Sequence, residues 1–157
     1  MKKLFIYIFS ILSIIFINTT QVALADDNIS LNNVNAKNEI SCLAKAIYFE
    51  SKGGLERDMK DVGHVVLNRT NSSKFPSDVC SVVYQRTPRV CQFSWVCNTH
   101  RVREQKEYSK SLEYAQELLH QEKVGNRRDT TNGALFFRVT NKRTNACHIN
   151  NQHAFFK

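Results

Sequence analysis

An α+β fold, mainly helical with a small β element near the C-terminus, is predicted by three observations. Two amphipathic helical stretches meet at a Gly53-Gly54 break, a longer helical stripe precedes Gly125, and a single run of strand-like alternation follows Gly133. With 157 residues, of which 42% are hydrophobic, the chain suits one domain and is not wholly disordered. No apolar run approaches the roughly 20 residues that span a bilayer.

The first 25 residues are set apart from the fold. Lys2 and Lys3 precede an apolar run from Leu4 to Ile17, and Ala23-Leu24-Ala25 follows with small residues at the cleavage positions. This pattern predicts a signal peptide over 1–25, the alternative being an uncleaved N-terminal anchor. The Asn-rich stretch that follows carries few apolar residues, so 26–40 is expected to be a disordered polar tail and 41–157 the folded domain.

Ser41 is placed as the N-cap of a first helix, with Leu43, Ala46, Ile47 and Glu50 on one face and Gly53-Gly54 as its stop. A second helix from Leu55 to Arg69 carries Leu55, Met59, Val62 and Val66 at spacings of four, three and four, so the pair forms a helical hairpin. Residues 71–76 are turn material, Val79 to Tyr84 is a short apolar element, and Thr87 to Arg101 is an irregular loop. A third helix from Arg103 to Lys123 has the stripe Tyr108, Leu112, Ala115, Leu119. After a turn from Asn126 to Gly133, the segment Ala134 to Val139 alternates as a strand does. Ala154 to Phe156 is too short to assign from sequence.

Export places the five cysteines in an oxidising compartment, where disulfides are the default. The helical hairpin brings Cys42 near residues 70–80, so Cys80 is its nearest partner, and Cys91 with Cys97 closes a short loop. Cys147 is left as a free thiol beside His148 or as an intermolecular link. There is no C-x-x-C pair and no H-E-x-x-H, so neither a metal site nor a cofactor is expected. No lipid-anchor cysteine lies near the cleavage point. The formal charge of +8 comes without a basic run of five or more interleaved with aromatics, and Arg101, Arg103, Arg127 and Arg128 are scattered, so nucleic acid is not an expected partner.

Glu50 is the residue whose surroundings point to chemistry. A carboxyl among Leu43, Ala46 and Ile47 is desolvated, and in the last helical turn it meets the negative end of the helix dipole; both raise its pKa. A carboxylic acid still protonated near neutral pH is what is needed to protonate a departing glycosidic oxygen. The alternative is an ordinary helix-end carboxylate turned to solvent or paired with Lys45 or Arg57.

Cys42-Leu-Ala-Lys-Ala-Ile-Tyr-Phe-Glu50, Val65-Val-Leu-Asn-Arg69, Phe75-Pro76, Val79-Cys80-Ser-Val-Val-Tyr-Gln85 and Cys91-Gln-Phe-Ser-Trp95-Val-Cys97 together resemble the SleB-type cell wall hydrolase family, which includes the spore cortex-lytic enzymes. The likeness continues through Asp129-Thr130, Gly133-Ala134-Leu-Phe-Phe137 and His153-Ala-Phe-Phe156. It implies a lysozyme-like domain acting on peptidoglycan glycan strands, with Glu50 as the acid. The chain departs from the family where Gly54 replaces a second glutamate, Met59 replaces a glutamine, and Asn150-Asn151-Gln152 precedes His153 in place of a glycine.

On this resemblance the expected protein is an exported monomer of the periplasm or cell wall, without a membrane span after signal cleavage. Its expected reaction is lytic transglycosylation, in which the muramyl C6 hydroxyl attacks C1 and one acid/base residue serves both steps. Hydrolysis would need a second carboxylate, from Glu56, Asp58, Asp61 or Asp129, although the charges from Glu56 to Asp61 also suit a solvated helix face. Gln92, Phe93, Ser94 and Trp95 offer amide, hydroxyl and aromatic surfaces to sugars, with the two aromatics equally suited to the core; Tyr48 is a weaker contact because it points off the face of Glu50. Asn68 is expected to be structural. The positive charge suits acidic peptidoglycan stems or an anionic membrane surface. Two other readings are a non-catalytic wall-binding or assembly protein of the same fold, and an N-acetylmuramoyl-L-alanine amidase.

Overall fold

A computed structural model describes residues 33–139 and 145–157; the predicted signal peptide lies outside the described residues. The chain divides into two units, Met1–Lys37 and Asn38–Lys157, and every element discussed below beyond the first helical turns lies in the second. In chain order the helices are α1 (33–51), α2 (Glu56–Thr70), α3 (Val79–Val83), α4 (Ser94–Cys97) and α5 (Gln105–Lys123). Three short strands follow: β1 (Phe136–Val139), β2 (His148–Ile149) and β3 (His153–Phe156).

The start of the folded region differs from the sequence expectation. Residues 33–40 are helical, so α1 does not begin at Ser41 and the polar tail does not extend to residue 40. Ile40 packs against the same core as Leu43, Ala44 and Ile47, so the buried face continues a turn upstream. Extending an anchored helix gains one hydrogen bond per residue without a new nucleation cost, which overrides the weak local preference of the asparagines. The other end of α1 stops where the glycines indicate: Gly53 has φ of 78°, the left-handed conformation that closes a helix.

α2 is the central element. Its Met59, Val66 and Leu67 join Leu43, Ile47, Val82, Phe93, Trp95 and Leu118 in the main core, whereas Val65 packs with Ala134 and Phe155 under the sheet. Leu55, expected on the apolar stripe, is the N-cap and is 64% exposed. α5 buries Ser111, Ala115 and Leu118 rather than the Tyr108–Leu112–Ala115–Leu119 line; Tyr108, Leu112 and Leu119 flank the buried stripe.

The sheet has the order β1-β3-β2, with both pairings antiparallel, so the segment too short to assign from sequence is its middle strand. Polar contacts fasten this sheet to α2. The fully buried carboxylate of Asp61 accepts from His148 Nε2 (2.9 Å), Asn150 Nδ2 (2.9 Å) and Thr130, and Asp58 accepts from the backbone of Leu55 and Asn151. The run from Glu56 to Asp61 is therefore not a solvated face: Asp58 and Asp61 turn into the fold because the C-terminal strands supply their donors. Asn68 donates to Asp129, Thr131 and the Ala134 carbonyl, tying α2 to the loop before β1.

Cys42 is bonded to Cys80, and Cys91 to Cys97, while Cys147 is a free thiol contacting the Thr131 and Phe155 carbonyls. The first bridge joins positions 38 apart in sequence and the second positions six apart. Loop-closure entropy then assigns about 4 kcal/mol to the first and about 2 kcal/mol to the second. Replacing Cys42 and Cys80 together with serine is expected to lower the unfolding free energy about twice as much as replacing Cys91 and Cys97, measured by denaturant titration.

Candidate active site

Glu50 lies in the last turn of α1, partly buried, one residue before the buried Ser51. Desolvation holds its carboxyl above the ordinary glutamate range; the Trp95 indole and the Arg69 guanidinium act in the opposite direction and do not cancel it. The Trp95 N–H is near enough to favour the ionised carboxyl, yet it is buried without an acceptor in full hydrogen-bonding geometry. It is a donor poised beside the acid, and such contacts commonly tighten only when substrate is bound. Neither Lys45 nor Arg57 pairs with Glu50: Lys45 reaches the Tyr84 hydroxyl and Arg57 the His148 ring.

Arg69, at the end of α2, was not singled out as a site residue by sequence reasoning, although it closes the Val65–Arg69 motif. It is 2% exposed, and burial lowers its pKa to about 10, so it remains a cation at neutral pH. Its Nε donates to the Leu135 carbonyl at 2.7 Å, and its guanidinium stacks over the rings of Phe75, Phe93 and Phe136 at 5.1 to 5.9 Å. With the Gln92 carboxamide oxygen turned to Arg69, it accepts from the two terminal nitrogens at 3.1 and 3.2 Å. Arg69 thus sets Gln92 in place and leaves the amide nitrogen of Gln92 as the donor for a ligand.

The remaining predicted contacts divide sharply. Ser94 is exposed at the start of α4 and Gln92 is half-buried, so both can meet substrate. Phe93 and Trp95 are core residues, 3% and 6% exposed; Trp95 stacks on Phe49 at 4.6 Å and serves the site only through its N–H. Tyr48 lines the larger of the cavities described below, but its hydroxyl is already engaged. It is buried, its hydroxyl donates to Glu104 and accepts from the amides of Arg103 and Glu104, and it thereby anchors the 101–104 segment to α1.

Each second-carboxylate candidate is engaged elsewhere. Asp58 and Asp61 are consumed by the sheet contacts above, and Glu56 is exposed and paired with Lys60. Asp129 is pulled down to about 2, against its own partial burial, by donors from Thr131, Gly133 and Asn68.

The departures at Gly54 and Met59 have structural partners. A side chain at Gly54 would begin 2.9 Å from Oε1 of Gln152, so this C-terminal carboxamide occupies the space that position 54 leaves open. Met59, 1% exposed, packs in the core rather than presenting a polar group. Two cavities flank Phe49, the residue before the acid. One of about 700 Å³ is lined by Lys52, Arg101 and Arg103 among others, and one of about 360 Å³ by Lys45, Tyr84 and Trp95 among others. A further cavity of about 440 Å³ between α2 and α5 is lined by Glu56 and by none of the other candidate residues.

Comparison with solved structures finds the same fold in the catalytic domain of the Bacillus cereus SleB protein, with a TM-score of 0.54, 24% identity, and coverage of 77% of this chain and 91% of that one. The catalytic domain of the germination-specific lytic transglycosylase SleB from Bacillus anthracis matches with a TM-score of 0.54 and 23% identity, over 76% of this chain and 94% of that one. Comparison with curated proteins gives no match. The cell wall hydrolase family model matches residues 53–156, from the glycine break through the whole of β3, so Glu50 lies just outside the matched stretch and its role rests on its own surroundings. With α2 to α5, the Arg69–Gln92 pair and the three-stranded sheet all inside that span, the chain belongs to the cell wall hydrolase family.

Proposed function

We propose that the protein is an exported peptidoglycan lytic transglycosylase, with Glu50 as its single general acid/base. The observation that carries this reading is the pairing of one carboxyl whose pKa burial raises with the engagement of Glu56, Asp58, Asp61 and Asp129 by other partners. Protonated Glu50 gives its proton to the oxygen between muramyl C1 and the next sugar, and the C1–O bond breaks. The muramyl C6 hydroxyl then attacks C1 and returns its proton to the Glu50 carboxylate. No water is consumed, the glycan gains a 1,6-anhydro end and a free 4-hydroxyl, and the acid is restored. Gln92 and Ser94 hold the acetamido and hydroxyl groups of the strand. The two disulfides suit an oxidising compartment, in agreement with export. The solved Bacillus anthracis relative is described as a lytic transglycosylase, and the same chemistry fits the residues present here.

Digestion of purified peptidoglycan followed by mass spectrometry of the soluble products tests this reading. Anhydro-muropeptides are expected; reducing ends would identify hydrolysis, and freed stem peptides an amidase. The rate should fall as pH rises through the raised pKa of Glu50, because only the protonated form can act first. A rate still climbing well into alkaline pH would remove Glu50 from the acid role.

A further inference from the structure

We infer that the cleft of about 700 Å³ beside Phe49 is a subsite for the carboxylates of the peptide stem, an inference that rests on the glycan-cleaving reading above. The volume falls in the range of specific ligand pockets and suits a short peptide. Its lining is cationic. Arg101 and Arg103 are exposed there and form no ion pair among the described residues, and Lys52, whose ammonium is shared with Glu104 at 3.0 Å, is also part of the wall. Glu104, next to Arg103 in the chain, is taken by Lys52 and the Tyr48 hydroxyl and forms no ion pair with the arginines.

The wall is held rather than loose. Tyr48 accepts from the backbone amides of Arg103 and Glu104, fixing one end of the 101–104 segment to α1. Near the other end, Thr99 has φ of 48°, a left-handed conformation that a β-branched residue rarely adopts and that marks a backbone shaped by its surroundings. Phe49 supplies an apolar floor, stacked on Trp95, and the His100 ring meets its edge at 6.2 Å.

Position selects the occupant. The stem is attached at the lactyl group of the muramyl sugar whose C1 is attacked, so it must leave the strand within a few bonds of the acid. Phe49 lines the cleft from the helix that carries Glu50, one position before it, and Lys52 from just past the end of that helix, two positions after it; Glu50 is not itself part of the lining, so a stem several residues long would reach the cleft around the end of that helix. A stem presents carboxylates with small alanyl methyl groups between them, which matches paired guanidinium groups above an aromatic floor.

The test compares kcat/KM on intact peptidoglycan with kcat/KM on glycan strands whose stems have been removed by an amidase. The unsubstituted enzyme is expected to favour the stem-bearing strand by about tenfold, as a few partly solvated charge contacts allow. The ratio should fall toward one in the Arg101→Glu/Arg103→Glu variant, and in the unsubstituted enzyme as sodium chloride is raised, a readout that needs no substitution. A ratio near one in the unsubstituted enzyme, or one untouched by both salt and charge reversal, overturns the subsite. If charge reversal instead abolishes binding to phosphatidylglycerol vesicles or single-stranded DNA while the ratio holds, the patch serves another polyanion and the proposal is likewise overturned. Failure of the unsubstituted enzyme to cleave either substrate would overturn the glycan-cleaving reading, a result distinct from all of these.

Discussion

Glu50→Gln is expected to abolish release of muropeptides, lowering turnover by at least about a thousandfold, while the protein remains folded. The amide is nearly isosteric but can neither donate the proton to the leaving oxygen nor take one from the C6 hydroxyl, so both halves of the reaction are lost together. Loss of general acid/base catalysis alone accounts for about 10² to 10⁴ in rate. The stability outcome follows from the sign of the pKa shift. A carboxyl whose folded pKa lies above its unfolded value supports the fold fully below the unfolded pKa and loses that support as pH rises through the folded one. At neutral pH the ionised carboxyl is therefore a net cost, because desolvation outweighs the attraction of Arg69 and Trp95. The variant should be as stable as the parent or somewhat more so near pH 7, and its advantage should vanish in acid. Denaturant titration at the two pH values checks this, and retention of most turnover by the variant would falsify the assignment of the acid.

Arg69→Met carries the second large effect. The substitution keeps an unbranched side chain but removes the charge and every donor, leaving the part-buried Leu135 carbonyl and the Gln92 carboxamide oxygen without their partner. Stranding two such acceptors costs about 2 to 4 kcal/mol of unfolding free energy, with loss of the cation stack on three phenylalanine rings included in the upper value. Activity should change in a way that packing loss alone does not produce. Arg69 favours the ionised form of Glu50, so removing its charge raises the acid's pKa further, and the alkaline limb of the rate profile moves to higher pH. Arg69→Lys keeps the charge but not the planar fork that reaches Leu135 and Gln92 at once. It should lose stability and substrate affinity while leaving the alkaline limb near its original position. Identical limbs in the parent and the Met variant would show that Arg69 acts only as a structural brace.

Glu50 was legible in the sequence because its placement is a local matter. The 3.6-residue period puts it on the face of Leu43, Ala46 and Ile47, and Gly53 ends the helix just beyond it, so burial and the helix terminus are both set by near neighbours in the chain. The cysteine pairs were legible for a similar reason: a helical hairpin and a short loop bring them together with little help from the rest of the fold. Burial of Asp58 and Asp61 was not legible. A charged stretch at a helix start looks solvated until β2 and the turn between β2 and β3, some 90 residues later, provide His148, Asn150 and Asn151 as donors.

The roles of Arg69, Gln92 and Trp95 were decided only by the tertiary structure. An arginine at a helix end has no local reason to be buried. It is buried because the Leu135 carbonyl and the Phe75, Phe93 and Phe136 rings close around it from three separate segments. The same closure buries Trp95 against Phe49 and leaves only its N–H to serve Glu50. The Tyr48 hydroxyl is likewise held by a distant segment, the 103–104 backbone. Helical period and glycine stops determined where the acid stands; the long-range contacts determined which groups surround it, because desolvation and charge depend on distance in space rather than on distance along the chain.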